Sequence, residues 1–399
     1  MDLSQRGRTM PASPIRKLAG LADAAKARGT RVYGLNIGQP DIATPPEMLE
    51  AVRGFDETVL AYGPSAGLPE TRSAMARYLT NLGTPVDPSN VLVTDGGSEA
   101  ILFAMAALCD PGDEIIVFEP FYTNYAGFAH ITSVRLVPIT TSVENGYRPP
   151  SIDRIEAAIT PRTRAILYCS PSNPTGTILR RGEVRVLVDL VKKHDLFLVA
   201  DEVYREFVYD GVEHVGVLEV AADAGALERV VLVDSISKRF SACGARIGFL
   251  CSPNPSVIEA CLRFGQSRLC PPTIDQYAAI AGYGVIDRYV PPMIDEYRRR
   301  RDLVMGALAD IEGAVCARPE GAFYVMPRIP VDDADAFAAF MLDDFKHDGA
   351  TVMLATGAGF YATPGLGRDE IRIAYVLQED HLAIAMDLLK RGIDAYNER

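Results

Sequence analysis

Six short apolar runs alternate with amphipathic stretches through the middle of the chain. Each run is almost continuously hydrophobic, which is typical of strands in a mainly parallel sheet that helices cover on both faces. The predicted strands are residues 91–94, 115–118, 165–169, 196–200, 230–234 and 247–251. Predicted helices lie between them at residues 98–109, 151–159 and 181–194. This alternation indicates an α/β domain.

The C-terminal third has a different pattern, typical of an α+β unit. Its predicted helices are residues 287–310, 334–348 and 379–397, and its predicted strands are residues 321–327 and 370–376. We expect the N-terminal residues to complete this unit. The predicted division is therefore an N-terminal arm with part of the small domain (1–45), a large α/β domain (46–290) and a small C-terminal α+β domain (291–399). The proline-rich residues 291–295 are the expected hinge.

Composition excludes several classes of protein. The chain has 399 residues, of which 48% are hydrophobic and 23% charged, as in a globular protein with a large core. A formal net charge of -12 makes nucleic acid or an anionic membrane surface an unsuitable partner. The longest apolar stretch, residues 100–109, is too short to cross a bilayer. We therefore expect a soluble protein with neither nucleic-acid nor membrane partners.

The cysteines and histidines point away from disulfides and metals. The seven cysteines are scattered, odd in number and free of any CxxC motif, so a reducing cytoplasm is the expected location. The five histidines lie far apart without the spacing of metal ligands, and we expect no metal site.

Polar or aromatic residues follow the predicted strands at their ends, the edge at which open α/β sheets bind ligands. Gly97 and Ser98 open a helix there, and free N–H groups at a helix start suit a phosphate. Tyr122 follows the next strand, where its ring would either stack on a flat heterocycle or pack into the core. Asn173 lies in the turn SPSNPTG, in which a cis Asn173–Pro174 bond is expected.

Two further strand ends carry charged groups. Asp201 ends a buried run, with Tyr204 three residues later, and a buried carboxylate is costly unless it is paired. A cation facing Asp201 or a helix-capping role would explain it. Ser235 and Lys238 end another strand, and Arg246 follows, an arrangement that suits a covalent lysine beside a phosphate clamp.

Arg372 is a cation on an otherwise apolar strand of the C-terminal unit. A buried guanidinium without an anion is costly. Arg372 therefore either forms a structural ion pair or grips a substrate carboxylate with its planar fork.

These motifs together resemble the class I and II aminotransferases, the aspartate aminotransferase-like group of fold-type I pyridoxal-phosphate enzymes. The order matches the family from about residue 15 to the end, and SxSK…GxRxG downstream of NPTG and DExY is specific. The matching segments are GQPD (38–41), Tyr62 with GLPE (67–70), GGSEA (96–100), PFYTNY (120–125), SPSNPTG (170–176), ADEVY (200–204), SISKRF…GARIG (235–248), GAFY (321–324) and RIAY (372–375). The resemblance implies a large domain with a mainly parallel seven-stranded sheet between helices, plus a smaller α+β domain.

The resemblance also implies the cofactor, pyridoxal 5'-phosphate, and a role for each matching residue. Lys238 is expected to hold the cofactor covalently and then to move a proton at the substrate α-carbon. Asp201 is expected to face the ring nitrogen and keep it protonated. Tyr204 is expected to be catalytic. Tyr204 and Asn173 would both form hydrogen bonds with the phenolic oxygen of the ring. The other expected cofactor contacts are Tyr122 on the ring, and Gly97, Ser98, Ser235 and Arg246 at the phosphate.

Substrate binding and assembly follow from the same resemblance. Arg372, assisted by Asn173 and the Gly38 backbone, is expected to bind the substrate α-carboxylate. Tyr62 is expected to reach the phosphate held by a neighbouring subunit, which requires a homodimer with active sites shared across the interface. The expected reaction moves an amino group between an L-amino acid and a 2-oxo acid by a ping-pong mechanism.

One position departs from the pattern of some aspartate-specific relatives, which carry a lysine where this chain has Ser98. A hydroxyl cannot replace that charge at a distal carboxylate, so the sequence favours uncharged donors, with glutamate or 2-oxoglutarate as the shared partner. Arg16 would reverse this expectation if the N-terminal segment folded over the site.

Two alternatives remain open from the sequence. The same fold and cofactor also serve lyases, decarboxylases and epimerising enzymes that act on the amino acid α-carbon. A non-catalytic pyridoxal-phosphate-binding regulator would need a DNA-binding extension or lost catalytic residues, and neither is seen in the sequence.

Overall fold

The computed structural model describes residues 2–399, and its largest layer is a seven-stranded sheet. The strands of the whole structure, in chain order, are β1 (Arg31–Gly34), β2 (Val91–Asp95), β3 (Glu114–Glu119), β4 (Arg135–Thr140), β5 (Thr163–Cys169), β6 (Phe197–Asp201), β7 (Val230–Ser235), β8 (Ile247–Cys251), β9 (Tyr324–Val325), β10 (Ala350–Met353), β11 (Ala355–Thr356) and β12 (Ile371–Ala374). The order in the large sheet is β2-β8-β7-β6-β5-β3-β4. Only β8 runs antiparallel to its neighbours within this sheet, which confirms the mainly parallel seven-stranded architecture.

Helices pack on both faces of this sheet, as its continuous apolar strands predict. In chain order they are α1 (Gln5–Thr9), α2 (Ala19–Ala27), α3 (Pro46–Arg53), α4 (Pro69–Asn81), α5 (Gly96–Leu108), α6 (Asn124–Thr132), α7 (Ile152–Ala157), α8 (Arg181–Lys193), α9 (Val217–Asp223), α10 (Ile236–Arg239), α11 (Pro255–Arg268), α12 (Thr273–Tyr283), α13 (Ile286–Ala309), α14 (Ala334–Asp343) and α15 (Glu379–Asn397). One face of the sheet buries residues such as Ile166 and Leu232, and the other buries Leu167 and Val231. None of the helices within residues 2–399 is long and apolar enough to cross a membrane.

All six strands predicted in the middle of the chain are present, whereas β4 did not stand out as a seventh apolar run. It pairs only with β3 and forms an edge of the sheet. Most of its residues are half-buried, and Pro138 interrupts the apolar pattern. Edge strands tolerate proline because one side of their backbone needs no partner. The resemblance to a family predicted the seventh strand, and the hydrophobic pattern did not.

Two smaller sheets belong to the C-terminal part of the chain and the N-terminal segment. β1 pairs in parallel with β10, and the antiparallel order β11-β12-β9 forms the other sheet. A second core, which includes Leu35, Phe323, Phe337 and Leu389, lies between these strands and α13, α14 and α15. The boundaries at residues 45 and 290 stay predictions.

The proline-rich residues 291–295 lie inside α13 and do not interrupt it. A proline normally breaks a helix because it lacks an N–H donor and clashes with the preceding turn. Here both prolines fall in the second turn of a 24-residue helix. The helix continues beyond them and buries Met293, Tyr297 and Val304 in the second core. A hinge at this position is therefore not marked by a break in secondary structure.

The sheet brings the predicted chemistry to one edge. Because β5, β6 and β7 are parallel and in register, their carboxyl ends lie side by side, with Cys169 opposite Asp201 and Asp201 opposite Val233. α5 begins directly after β2, and α10 begins directly after β7. The residues that follow these strands therefore surround a common space.

Candidate active site

A cavity of about 540 Å³ lies at this edge of the sheet. Every residue predicted for the site lines it except Tyr62. The lining residues from that prediction are Gly38, Gly97, Ser98, Tyr122, Asn173, Asp201, Tyr204, Ser235, Lys238, Arg246 and Arg372. The cavity also includes the N-terminal residues Ser13, Ile15 and Arg16. Segments far apart in sequence thus form a single pocket.

Lys238 extends into the cavity from the short helix α10. The Ser235 hydroxyl caps this helix by accepting a hydrogen bond from the Ser237 N–H at 3.1 Å. The Lys238 ammonium donates to the Gly38 carbonyl oxygen at 2.8 Å and lies 3.7 Å from the Cys243 sulfur. Burial lowers the pKa of Lys238, and the neighbouring Cys243 thiol opposes this effect only in part. A larger neutral fraction makes this amine a better nucleophile.

Asp201 is a buried carboxylate with neutral hydrogen-bond partners. It accepts a hydrogen bond from the Tyr125 hydroxyl at 2.6 Å and one from the Val203 N–H at 3.4 Å. Burial raises its pKa to about 6, although these two bonds oppose the rise. No Lys, Arg or His within residues 2–399 lies within ion-pair distance of Asp201, and Lys238 acts on its charge only from farther away. The cation expected opposite this carboxylate is therefore not supplied by the described part of the chain.

Hydroxyl and guanidinium groups gather where α5 and α10 begin. The Ser235 and Ser237 hydroxyl oxygens are 2.7 Å apart. Arg246 donates to the Cys243 carbonyl at 3.1 Å and to the Asp95 carbonyl at 3.2 Å. Gly96 has a φ of +69°, and a methyl group there would overlap the Arg246 guanidinium. The helix start and Arg246 approach closely because this position has no side chain.

Arg372 is a buried cation on β12, with 1% of its surface exposed. It donates to the Asn173 side-chain oxygen at 2.9 Å and to the Asn36 carbonyl, and its guanidinium stacks on Tyr324 at 4.4 Å. Its Nε atom has no partner within residues 2–399. No carboxylate in that range lies within ion-pair distance, and burial lowers the pKa of the guanidinium. The structural ion pair considered from the sequence is thus absent from the described residues.

Aromatic hydroxyls complete the lining. The Tyr204 and Tyr324 hydroxyl oxygens are 2.9 Å apart, and burial raises the pKa of both groups. The Tyr122 hydroxyl accepts a hydrogen bond from the Asn124 amide at 2.8 Å, and burial raises its pKa to about 12. These phenols remain neutral donors at physiological pH.

Three residues of the site were given no role from the sequence. Tyr125 holds Asp201, and Tyr324 lies against Arg372. The Asn36 backbone also binds Arg372. Tyr125 and Tyr324 belong to the quoted motifs PFYTNY and GAFY, so only their roles were missed. Gly38 offers a signal for Tyr324, because a methyl group at Gly38 would overlap the Tyr324 hydroxyl.

Tyr62 does not line the cavity of its own chain. It lies in the segment without helix or strand between α3 and α4, and 79% of its surface is exposed. The neighbouring Val59 and Leu60 are 71% and 64% exposed. This segment therefore presents large apolar side chains to its surroundings.

The groups around the cavity fit pyridoxal 5'-phosphate. Lys238 offers an amine for its aldehyde, and Asp201 offers a buried carboxylate for a cationic ring nitrogen. Ser235, Ser237 and Arg246 provide donors for its phosphate. The buried charge of Asp201 lacks a cationic partner among residues 2–399, and the ring nitrogen is of the right charge to supply one.

Comparisons with known proteins agree with this fit. The sequence model of the family "aminotransferase class I and II" matches residues 30–389. An aromatic-amino-acid aminotransferase 2 from Thermococcus litoralis is 33% identical over 98% of both chains. An aspartate aminotransferase from Geobacillus stearothermophilus is 30% identical, covering 99% of this chain and 100% of the relative.

Solved structures give the same result. The aspartate aminotransferase from Thermus thermophilus with maleate has a TM-score of 0.89 and 32% identity. The match covers 98% of this chain and 100% of that chain. The resemblance noted in the sequence is thereby confirmed, together with the fold, the cofactor and the type of reaction. The chain belongs to the aminotransferase class I and II family and is a pyridoxal 5'-phosphate-dependent enzyme that moves amino groups between amino acids and 2-oxo acids.

Proposed function

We propose that this cavity carries out transamination, with Lys238 as the attachment point and proton carrier and Arg372 as the anchor for the substrate α-carboxylate. The observation that carries the proposal is the buried Arg372, which has no carboxylate partner within residues 2–399 and an unpartnered Nε atom. An isolated buried cation is expensive. A substrate carboxylate offsets this cost and supplies the bidentate geometry that guanidinium groups favour.

The chain's own groups have distinct tasks in this scheme. Bound pyridoxal phosphate supplies an electron sink for the bonding electrons of the substrate α-carbon. Asp201 holds a proton on the ring nitrogen, since a buried carboxylate is stabilised by a facing cation. The Lys238 amine removes the proton from the α-carbon and returns it at the neighbouring carbon. Tyr204 and Asn173 would bind the phenolic oxygen of the cofactor ring, and Tyr122 would pack against the ring.

Other reactions on the same cofactor are less well supported. A decarboxylase, or a lyase that cleaves a carbon–carbon bond, would need a different bond of the α-carbon held perpendicular to the ring. An epimerising enzyme would break the same bond to hydrogen but would return the proton to the α-carbon. The relatives named above are aminotransferases, which favours transfer of the proton away from the α-carbon. A non-catalytic regulator does not fit a buried amine, carboxylate and guanidinium around one cavity.

The test is a half-reaction followed by absorbance. Adding an amino donor alone should convert the bound cofactor to its amine form in one turnover, and a 2-oxo acid should restore the aldehyde form. Borohydride reduction followed by peptide mapping should label Lys238. A label on another lysine would overturn the assignment. Product formation without conversion to the amine form would indicate a lyase or decarboxylase.

We also propose a homodimer whose active sites are shared. Tyr62, Val59 and Leu60 are large, mainly apolar and mostly exposed side chains in one short segment. Clusters of exposed apolar side chains are typical of protein interfaces. In this proposal the partner subunit covers the segment and Tyr62 reaches the partner's cofactor phosphate. We further propose a cytoplasmic location, which the scattered and odd-numbered cysteines support.

A further inference from the structure

Arg239, the residue next to Lys238, is fully buried and does not line the cavity. Two carboxylates hold its guanidinium group. Its Nη2 atom lies 2.6 Å from an oxygen of Asp234, and its Nε atom lies 3.0 Å from an oxygen of Glu206. Asp234 is also fully buried, and Glu206 is nearly so. Burial of charged groups is costly unless they are paired, so three of them beside Lys238 are not explained by packing alone.

Two tyrosines complete this group, which we call the Arg239 cluster (Arg239, Asp234, Glu206, Tyr78 and Tyr283). Arg239 donates to the Tyr78 hydroxyl at 3.0 Å and to the Tyr283 hydroxyl at 3.1 Å. Its guanidinium also stacks over the Tyr78 ring at 4.5 Å, and the Tyr78 hydroxyl donates in turn to Glu206. All three nitrogens of the guanidinium therefore face an oxygen, and its planar fork is fixed in one orientation.

The Arg239 cluster joins two segments that carry residues of the active site. Asp234 belongs to β7 and Arg239 ends α10, so they flank Lys238 along the chain. Glu206 lies in the turn that follows β6, two residues after Tyr204. The ion pairs of Arg239 thus connect the segment of Lys238 to the segment of Tyr204 from behind the cavity.

α10 depends on contacts of this kind. It has four residues, and a single helical turn is unstable on its own because its nucleation is unfavourable. The Ser235 cap and the buried Ile236 hold the start of α10, and Arg239 holds its end. Lys238 lies between these supports. In the proposed function its amine must approach the cofactor aldehyde and the substrate α-carbon, and a misplacement of about 1 Å in such an approach costs up to about a hundredfold in rate.

We propose that Arg239 is a positioning residue that fixes Lys238 through its ion pairs with Asp234 and Glu206. This inference rests on the proposed function, because it takes Lys238 as the attachment point and proton carrier. Arg239 does not line the cavity and acts through α10. A change at Arg239 should therefore slow the steps that use the Lys238 amine, whereas binding to the other walls of the cavity should stay unchanged.

The experiment separates covalent attachment from binding in the full-length protein freed of its cofactor. Stopped-flow absorbance follows the attachment of pyridoxal phosphate, and calorimetry measures the binding of pyridoxine phosphate, a probe that lacks the aldehyde. Arg239→Met removes the charge and should slow attachment about a hundredfold. Arg239→Lys keeps a point charge that does not span both carboxylates, and it should slow attachment about tenfold. Both variants should bind pyridoxine phosphate within about twofold of the wild type.

A second measurement uses the holoenzyme. The same two variants should lower kcat by similar factors for every donor and leave KM within about twofold, because the substrate anchor is unchanged. Arg301→Lys is the matched control. Arg301 is also fully buried and pairs with two carboxylates, Asp210 and Asp302, but it lies on α13 and does not line the cavity. This variant should attach the cofactor and turn over at wild-type rates.

Glu206→Gln keeps the test decisive if Arg239→Met does not fold. It preserves the shape of the side chain and removes one of the two ion pairs, so it should slow attachment about threefold. Wild-type attachment rates in Arg239→Lys would overturn the inference. An equal loss of pyridoxine phosphate affinity would also overturn it, because Arg239 would then support the whole cavity. Borohydride labelling of a lysine other than Lys238 in the wild type would instead refute the proposed function.

Discussion

Replacing Asp201 by asparagine exchanges a buried carboxylate for a neutral side chain of nearly the same shape at the end of β6. In the protein without cofactor, burial raises the pKa of Asp201 from 3.8 to about 6. Each pKa unit corresponds to about 1.4 kcal/mol. The ionised carboxylate therefore lowers the free energy of unfolding by about 3 kcal/mol at pH 8. Asparagine removes this cost.

Part of that gain is lost through hydrogen bonding. The asparagine oxygen still accepts the hydrogen bond from Tyr125, but its amide nitrogen cannot accept one from the Val203 N–H. An unmade hydrogen bond of this kind costs about 1 kcal/mol. We expect Asp201→Asn to stabilise the cofactor-free protein by about 2 kcal/mol at pH 8.

The effect has a defined pH window. Because the folded-state pKa is raised, the folded protein keeps the Asp201 proton to a higher pH than the unfolded chain does. The wild type accordingly loses stability as the pH rises from about 4 to about 6, and this loss is constant above that range. At pH 4.5 the smaller ionisation cost and the lost hydrogen bond nearly cancel, so the variant and the wild type should have similar stability.

The assay is urea unfolding of the cofactor-free protein at pH 8 and pH 4.5. Circular dichroism is the suitable probe, because the chain contains no tryptophan. Asp310→Asn is the matched control, since this residue is exposed and forms no ion pair within residues 2–399, so it should give no change at either pH. An Asp201→Asn protein no more stable than the wild type at pH 8, or equally stabilised at both pH values, would refute the reasoning. Its turnover with cofactor should fall by several orders of magnitude.

Three other predictions concern the substrate anchor, the phosphate end and the dimer. Arg372→Lys should lower kcat/KM roughly a hundredfold for every donor, because a point charge replaces a planar fork; a loss confined to one donor would contradict this. Gly96→Ala should weaken cofactor binding about tenfold in a spectroscopic titration, since alanine is strained at that positive φ and its methyl group meets Arg246. Gly182→Ala is the control: the space around this glycine is open, and the variant should bind the cofactor normally. Mixing Lys238→Ala and Tyr62→Ala subunits should restore up to one native site per mixed dimer, and mixtures no more active than the separate variants would argue against shared sites.

The positions of the reactive residues were predictable from the sequence because they depend on local order. A buried parallel strand ends where its apolar run ends, and parallel strands place their carboxyl ends together. Asn173, Asp201 and Lys238 therefore meet at one edge although they lie in separate segments. The hydrogen-bond partners of these residues were not predictable in the same way. Tyr125, at the start of α6, meets Asp201, at the end of β6, through a tertiary contact that no local pattern records.

Arg16 illustrates the same limit more strongly. An arginine near the start of a chain is usually solvated, and its spacing carries no sign of a ligand. Its place on the cavity wall depends on Asn36 holding the Ile15 carbonyl and on Pro14 packing against Gly359. The hydrophobic pattern shows that the N-terminal segment contains little core. It does not show where the segment lies.

Arg372 and Asp201, two buried charges of the cavity, do not pair with each other. Each therefore remains free to bind a ligand of opposite charge. Arg372 bonds to neutral oxygens of Asn173 and Asn36, and Asp201 accepts bonds from neutral donors. If the two had paired, each would have satisfied the other and the folded protein would have been more stable without ligands. Apart, each has an electrostatic cost that a ligand of opposite charge removes: a cationic ring nitrogen for Asp201 and a carboxylate for Arg372. The stability that the free protein lacks becomes binding free energy. Part of it favours the cofactor ring at Asp201 and part favours the substrate carboxylate at Arg372, and the α-carbon is held between these two contacts.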